Sequence, residues 1–255
     1  MNPLEIALST GALVFGVAVS AGCFLSIRRM RDPEPDIEAA DRFIARAPQP
    51  GLLPLSREVL ADVRVVAFDA FGTLVRIDEP RGPWMKIIRQ AARRRDPRLA
   101  AGTIRAFAEE CGAHWDPEWE EDLQAELGSI RIFDDTLRVI DQLREAGYRL
   151  ALISNLARPY VEPLREVFGQ RFDAEIFSCD LQAVKPQPVM FASVCAKLDV
   201  APSEVLMVGD SLRSDVDGAR RFGMAALHLR RARREVAGTI STLDRLADQL
   251  KAARL

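Results

Sequence analysis

Residues 65–75 read V-V-A-F-D-A-F-G-T-L-V. An unbroken apolar run that ends in one carboxylate, Asp69, and then turns at Gly72-Thr73 has the form of a strand buried on both faces. Such strands belong to parallel sheets covered by helices on either side. Open α/β sheets place their chemistry at the C-terminal tips of those strands. Phe71 stands two residues beyond the acid. A second acid there would pair a nucleophile with a proton donor; this chain carries an aromatic ring instead.

Strand and helix patterns alternate downstream. Residues 131–146 have helical periodicity, with Ile132, Leu137, Ile140 and Leu143 as apolar positions, and end at Gly147. Arg149–Ser154 is a strand with a polar tip, 160–168 a helix and 175–178 a short strand. Pro188–Leu198 is helical, and the strand 205–208 runs into Gly209-Asp210. Residues 215–222 form a helix closed by Gly223, Ala225–Leu229 is the last strand, and 240–250 is a final helix. The expected fold class is α/β: a Rossmann-like, mainly parallel sheet with helices on both faces. Residues 83 to about 129 break the alternation with helical patterns only, at 84–95 and 103–111. A small all-helical cap inserted after the first core strand is therefore expected over the catalytic edge, where a lid belongs. Trp84, Trp115 and Trp119 are read as core packing, with pocket lining as the alternative, and Arg93, Arg94 and Arg95 as a solvated cap face, with a substrate or lipid-headgroup contact as the alternative.

The 255 residues suffice for one sizeable core plus a smaller module. A net charge of -2 gives no support for nucleic-acid binding. The spacing of Cys23, Cys111, Cys179 and Cys195 suggests neither zinc nor a disulfide framework, which leaves buried free thiols. His114 and His228 lie beside no Ser or Cys motif of a catalytic triad.

Residues 6–27 carry no charge. A helix of that length spans about 33 Å, enough for a bilayer core of about 30 Å. Arg28, Arg29 and Arg31 follow at once, so an N-terminal transmembrane helix would leave the catalytic part in the cytoplasm as a single-pass membrane protein. A cleaved signal peptide would want a basic residue before the apolar run, and there is none. Ser20-Ala21-Gly22-Cys23 resembles a lipoprotein cleavage site only faintly. A start at Met30 would remove the anchor and leave a soluble cytoplasmic chain. Ala12, Gly16 and Ser20 make a small-residue stripe through which such helices could pair as a homo-oligomer. Five prolines from Pro33 to Pro54 punctuate a charged stretch, with a short helix at 36–47 between them. The expected organisation is an anchor at 1–30, a tether at 31–62, a core of 63–78 and 130–255, and a cap at 79–129.

Four strand tips or loops carry polar groups: Asp69; Ser154-Asn155; Lys185-Pro186; and Gly209-Asp210-Ser211 with Asp215 beyond. In a parallel sheet these tips face one crevice. Carboxylates beside a lysine and a hydroxyl suit Mg²⁺ and a phosphoryl group. In this order the pattern resembles the haloacid dehalogenase superfamily of hydrolases. Its four motifs match at Asp69, Gly72 and Thr73, at Ser154, at Lys185, and at Gly209, Asp210 and Asp215; the likeness runs from about 65 to 229. The insertion resembles the family's helical cap in a short form.

The resemblance implies that Asp69 attacks a small phosphorylated substrate and becomes an aspartyl ester. Ser154 and Lys185 would hold the phosphoryl oxygens, and Thr73 and Asn155 would bind substrate. Mg²⁺ would be held by Asp69, Asp210 and the backbone carbonyl of Phe71, with Asp215 in support. Family phosphatases carry Asp where this chain has Phe71. Three readings follow: a phosphatase that is slow or favours good leaving groups; a 2-haloacid dehalogenase-like enzyme, whose halide leaves without a proton; or a binding or regulatory relative. Asp210 and Asp215 oppose the second, because that branch generally lacks the metal-binding acid of the fourth motif.

Overall fold

The computed structural model describes residues 55–231, 233 and 238–254. The apolar run 6–27, Cys23 and the short helix expected at 36–47 lie outside them. Among the described residues no helix is long and apolar enough to cross a membrane. The end of the expected tether is folded: Arg57–Ala61 forms α1, capped by the Ser56 hydroxyl and anchored by buried Leu60.

Six parallel strands form the sheet: β1 (Val65–Phe68), β4 (Arg149–Ser154), β5 (Ala174–Phe177), β6 (Val205–Gly209), β7 (Ala225–Leu229) and β8 (Thr239–Ile240). Their order is β5-β4-β1-β6-β7-β8, with β1 between β4 and β6. The chain leaves β1 toward β4 and β5, then returns to β6 on the other side. That reversal opens a crevice at the C-terminal tips of the three central strands, where α/β sheets bind ligands.

The apolar runs are unbroken because both sheet faces are covered. Val66, Phe68, Leu150, Leu152, Leu206 and Val208 point into one core cluster. Val65, Ala67, Ala151, Ile153, Val205 and Met207 point into the other. Successive side chains alternate between faces, as the pleat requires. The helices that complete these layers include α5 (Thr136–Glu145), α6 (Val161–Phe168), α8 (Pro188–Leu198), α9 (Gly218–Phe222) and α10 (Leu243–Ala253). A short α7 (Ser178–Leu181) follows β5.

Between β1 and α5 lie β2 (Val75–Ile77), three helices, and β3 (Ile130–Ile132). The helices are α2 (Pro83–Gln90), α3 (Ile104–Cys111) and α4 (Glu118–Gly128). β2 and β3 pair antiparallel, so the helical insertion leaves and re-enters on one ribbon. This corrects the helix expected at 131–146. Ile130 and Ile132 flank Arg131 with a period of two, and cross-strand pairing with Val75–Ile77 wins over the helical reading.

Other boundaries shift for tertiary reasons. α2 ends at Gln90, short of residue 95, where Ala91 turns extended and Arg93 N donates to Cys111 O at 3.0 Å. Ile240 joins β8 opposite Leu229, which delays the last helix to Leu243. The helix expected at 215–222 begins as a wide π-helical turn, Leu212–Asp217. The free thiols of Cys111, Cys179 and Cys195 are buried, and burial pushes the Cys179 thiol up to about 11 and that of Cys195 up to about 12.

Candidate active site

Asp69 follows β1 directly, and its N–H continues the ladder by donating to Val208 O at 3.0 Å. The chain then turns tightly. Ala70 O accepts from Thr73 N, Leu74 N and Val75 N, while Gly72 adopts φ 85°. A Cβ on Gly72 would lie 2.3 Å from Asp210 Oδ2, so only glycine lets that carboxylate rest against the turn. A Cβ on Gly209 would meet Asp215 Oδ2 at 2.3 Å, so the second acid is seated under β6 in the same way.

Two of the expected groups converge on Asp69. Lys185 Nζ donates to Asp69 Oδ1 at 2.7 Å, and Ser154 Oγ donates to the same oxygen at 3.2 Å. Lys185 Nζ also donates to Ile153 O at 2.7 Å and pairs with Asp215 Oδ1 at 2.7 Å. The lysine is buried, with 2% of its surface exposed. Burial works against its charge, yet the Asp69 and Asp215 carboxylates outweigh it and hold its pKa above the usual value. Burial, opposed by the Lys185 charge and reinforced by Asp215 and Asp210, raises Asp69 to about 6. The Lys185 ammonium, 2.7 Å from Oδ1, favours the ionised form of Asp69. With Oδ1 held twice, Oδ2 is its oxygen without a hydrogen bond among the described residues.

Asp69, Asp210 and Asp215 each offer a carboxylate oxygen within 4.8 Å of the others. This is a hard, oxygen-only donor set that fits Mg²⁺. Asp210 is the exposed member of the three, and partial desolvation of its carboxyl, then the Asp215 charge, raises its pKa. Asp215 is spoken for: Oδ2 accepts from Ser211 N at 3.0 Å while Oδ1 faces Lys185. It thus orients the loop that carries Asp210.

Of the two expected substrate contacts, Asn155 lines a cavity and Thr73 is buried. Thr73 is fully buried, its Oγ1 has no hydrogen-bond partner among the described residues, and its carbonyl accepts from Arg231. Asn155 reaches the Lys185 loop. Its Nδ2 donates to Lys185 O at 3.1 Å and its Oδ1 accepts from Lys185 N at 2.7 Å. The amide therefore positions the lysine backbone.

Sequence reasoning missed a second group of residues. Glu126 on α4 is buried and accepts from Arg81 N and Gly82 N at 2.6 Å and from Tyr160 Oη at 2.5 Å. Trp84 Nε1 donates to Tyr160 Oη at 3.1 Å, and the Tyr160 ring meets Phe71 edge-on, centroids 5.6 Å apart. Burial and then the Glu126 carboxylate push the Tyr160 hydroxyl well above its ordinary pKa. Beside these rings lies a cavity of about 200 Å³, walled by Phe71, Ile77, Trp84, Met85, Leu156 and Tyr160. Trp84 is thus wall as well as core. Only its size and place in the insertion hinted at that role. His228 was also missed; its Nε2 lies 2.8 Å from Asp210 O.

The family model of haloacid dehalogenase-like hydrolases matches residues 63–223. The chain belongs to that family. Its fold has solved counterparts. A HAD phosphatase from Thermococcus onnurineus superposes with a TM-score of 0.58 at 24% identity, over 76% of this chain and 100% of that one. L-2-haloacid dehalogenase from Xanthobacter autotrophicus gives 0.55 at 21% identity, over 74% and 98%. Among curated relatives, a glyceraldehyde 3-phosphate phosphatase of Methanopyrus kandleri is 34% identical over 106 residues, 41% of this chain and 46% of its own. A phosphoglycolate phosphatase of Haemophilus influenzae is 32% identical over 101 residues, 39% and 45% of the two chains. The chain spans less than half the length of these relatives.

Removing the lysine from this hydrolase site strands two buried carboxylates. Lys185→Met is expected to lower the free energy of unfolding by about 3–5 kcal/mol, read from urea melts, because it breaks a buried ion pair from one side. A loss below about 1 kcal/mol, the worth of an exposed pair, would contradict the buried geometry.

Proposed function

We infer that this hydrolase removes phosphate from a small phosphorylated metabolite through an aspartyl-phosphate on Asp69. The observation that carries the reading is the convergence of Lys185 Nζ and Ser154 Oγ on Asp69 Oδ1, with Asp210 and Asp215 alongside. The names of the curated relatives, both phosphatases, support it. In this reading residues 63–78 and 130–255 are the catalytic core and 79–129 the cap.

Asp69 Oδ2 attacks phosphorus, and the bond from phosphorus to the leaving oxygen breaks. Lys185 and Ser154 hold Oδ1 and fix the direction of attack. Water then attacks the phosphorus of the aspartyl-phosphate, which releases phosphate and restores the carboxylate. Mg²⁺, held by Asp69, Asp210 and the Phe71 carbonyl, would neutralise phosphoryl charge that Lys185 alone cannot offset. EDTA is expected to abolish phosphatase turnover, and added Mg²⁺ to restore it, in a phosphate-release assay. Turnover that persists in EDTA contradicts this part of the reading.

Phe71 favours one second reading, a 2-haloacid dehalogenase, because a halide departs without a proton. Asp210 and Asp215 argue against it. Halide release from 2-chloropropionate in EDTA would establish it. For the run 6–27 the sequence is the sole support; fractionation of cells expressing the full chain separates a single-pass anchor from a chain that starts at Met30.

A further inference from the structure

The cavity is lined by Phe71 and Asn155, which lie two residues beyond Asp69 and one beyond Ser154 in the chain. Its polar lining groups are already engaged. Arg98 is bound side-on by Asp96, with Nε to Oδ1 at 2.9 Å and Nη2 to Oδ2 at 2.6 Å. The Asn155 amide is tied to the Lys185 backbone, and Trp84 Nε1 and Tyr160 Oη end in Glu126. What faces the cavity is aromatic and aliphatic. Met85, 52% exposed, stands on its wall.

An apolar cavity of about 150 Å³ accommodates benzene. The space here, about 200 Å³, is sized for one aromatic ring. It offers a polyol little, because its amide, hydroxyl and indole N–H have partners. Phe71 adds a chemical constraint from the same position: it cannot protonate a departing oxygen. A leaving group that departs as a stable anion needs no such proton.

We propose that the substrate is a phosphate of a flat, apolar and acidic group, an aryl ester or an aroyl anhydride, whose ring occupies the cavity beside Phe71. The proposal rests on the phosphatase reading above. Asp69 Oδ2 forms a bond to phosphorus, the bond from phosphorus to the aryl or aroyl oxygen breaks, and the electron pair leaves on that oxygen as phenolate or carboxylate. No proton is transferred in this step.

Acetyl and benzoyl phosphate expel acids of nearly equal strength and differ by the ring. With the full chain and Mg²⁺, kcat/KM for benzoyl phosphate is expected to exceed that for acetyl phosphate by about tenfold or more, from burial of the ring. Met85→Glu should erase that gain, and Met85→Leu should keep it. If acetyl phosphate is hydrolysed and benzoyl phosphate is no better, the cavity proposal falls while the phosphatase reading stands. If neither is hydrolysed, the phosphatase reading fails and the proposal with it. Hydrolysis of 4-nitrophenyl phosphate at a rate comparable to benzoyl phosphate identifies aryl esters; its failure beside rapid benzoyl phosphate turnover identifies aroyl anhydrides.

Discussion

Asp69→Asn lowers kcat/KM on acetyl phosphate by about 10⁴-fold or more, the scale on which removal of a nucleophile acts. The fold survives the change. Asparagine keeps the shape of the side chain, and its carbonyl oxygen still accepts from Lys185 and Ser154 in place of Oδ1. Burial already works against the carboxylate, raising its pKa to about 6, so loss of the charge removes a desolvation cost. Lys185 retains Asp215 as its counter-ion at 2.7 Å. The variant should therefore show an unchanged circular dichroism spectrum and a near-normal unfolding midpoint. Activity within tenfold of the parent would exclude Asp69 as the attacking group. A collapsed spectrum would show instead that Asp69 is needed for the fold.

Phe71→Asp raises turnover of alkyl phosphates, such as glycerol phosphate, by about 10²-fold, the lower end of what general acid-base help supplies. It changes acetyl phosphate turnover little, because that leaving group departs without a proton. The substitution forfeits the edge-on contact with Tyr160, worth about 1 kcal/mol. Phe71 is only half-buried, so an acid there can be hydrated without a large burial cost. Initial rates on the two substrates decide the matter. Rates that stay flat on both would mean that the absent acid does not limit this enzyme.

Both predictions depend on residues whose placement at strand ends is legible in the sequence. Asp69, Ser154 and Asp210 end or follow apolar runs, and a strand buried on both faces has few ways to sit except in a parallel sheet. Lys185 was legible as a cation beside the carboxylates, but its burial and its bond to Ile153 O were not. Only the return of a distant loop creates that environment. The hold of Asn155 on the Lys185 backbone was hidden for the same reason, since the fold alone brings the two together. The ribbon of β2 and β3 escaped because strands of three residues are too short to show their period. β8, with two residues, exists only through its pairing with β7. Glu126 gave no signal, since an acid on an amphipathic helix reads as solvent-facing until the donors of Arg81, Gly82 and Tyr160 are seen to meet on it.

Two features keep the carboxylates of the crevice together. Gly72 and Gly209 leave the room that Asp210 and Asp215 occupy, so each acid packs against backbone where any other residue would place a side chain. Lys185 supplies the charge that makes their proximity tolerable. Asp69, Lys185, Asp210 and Asp215 thus form one electrostatic unit, and single changes within it should act non-additively.

The central claim is that Asp69 becomes covalently phosphorylated. Acid quenching during turnover of radiolabelled acetyl phosphate, followed by proteolysis and mass spectrometry, tests it directly. The account predicts one hydroxylamine-sensitive phosphoryl group on the peptide containing Asp69, absent from Asp69→Asn. Steady turnover with no such adduct, or with the phosphoryl group on another residue, would contradict it.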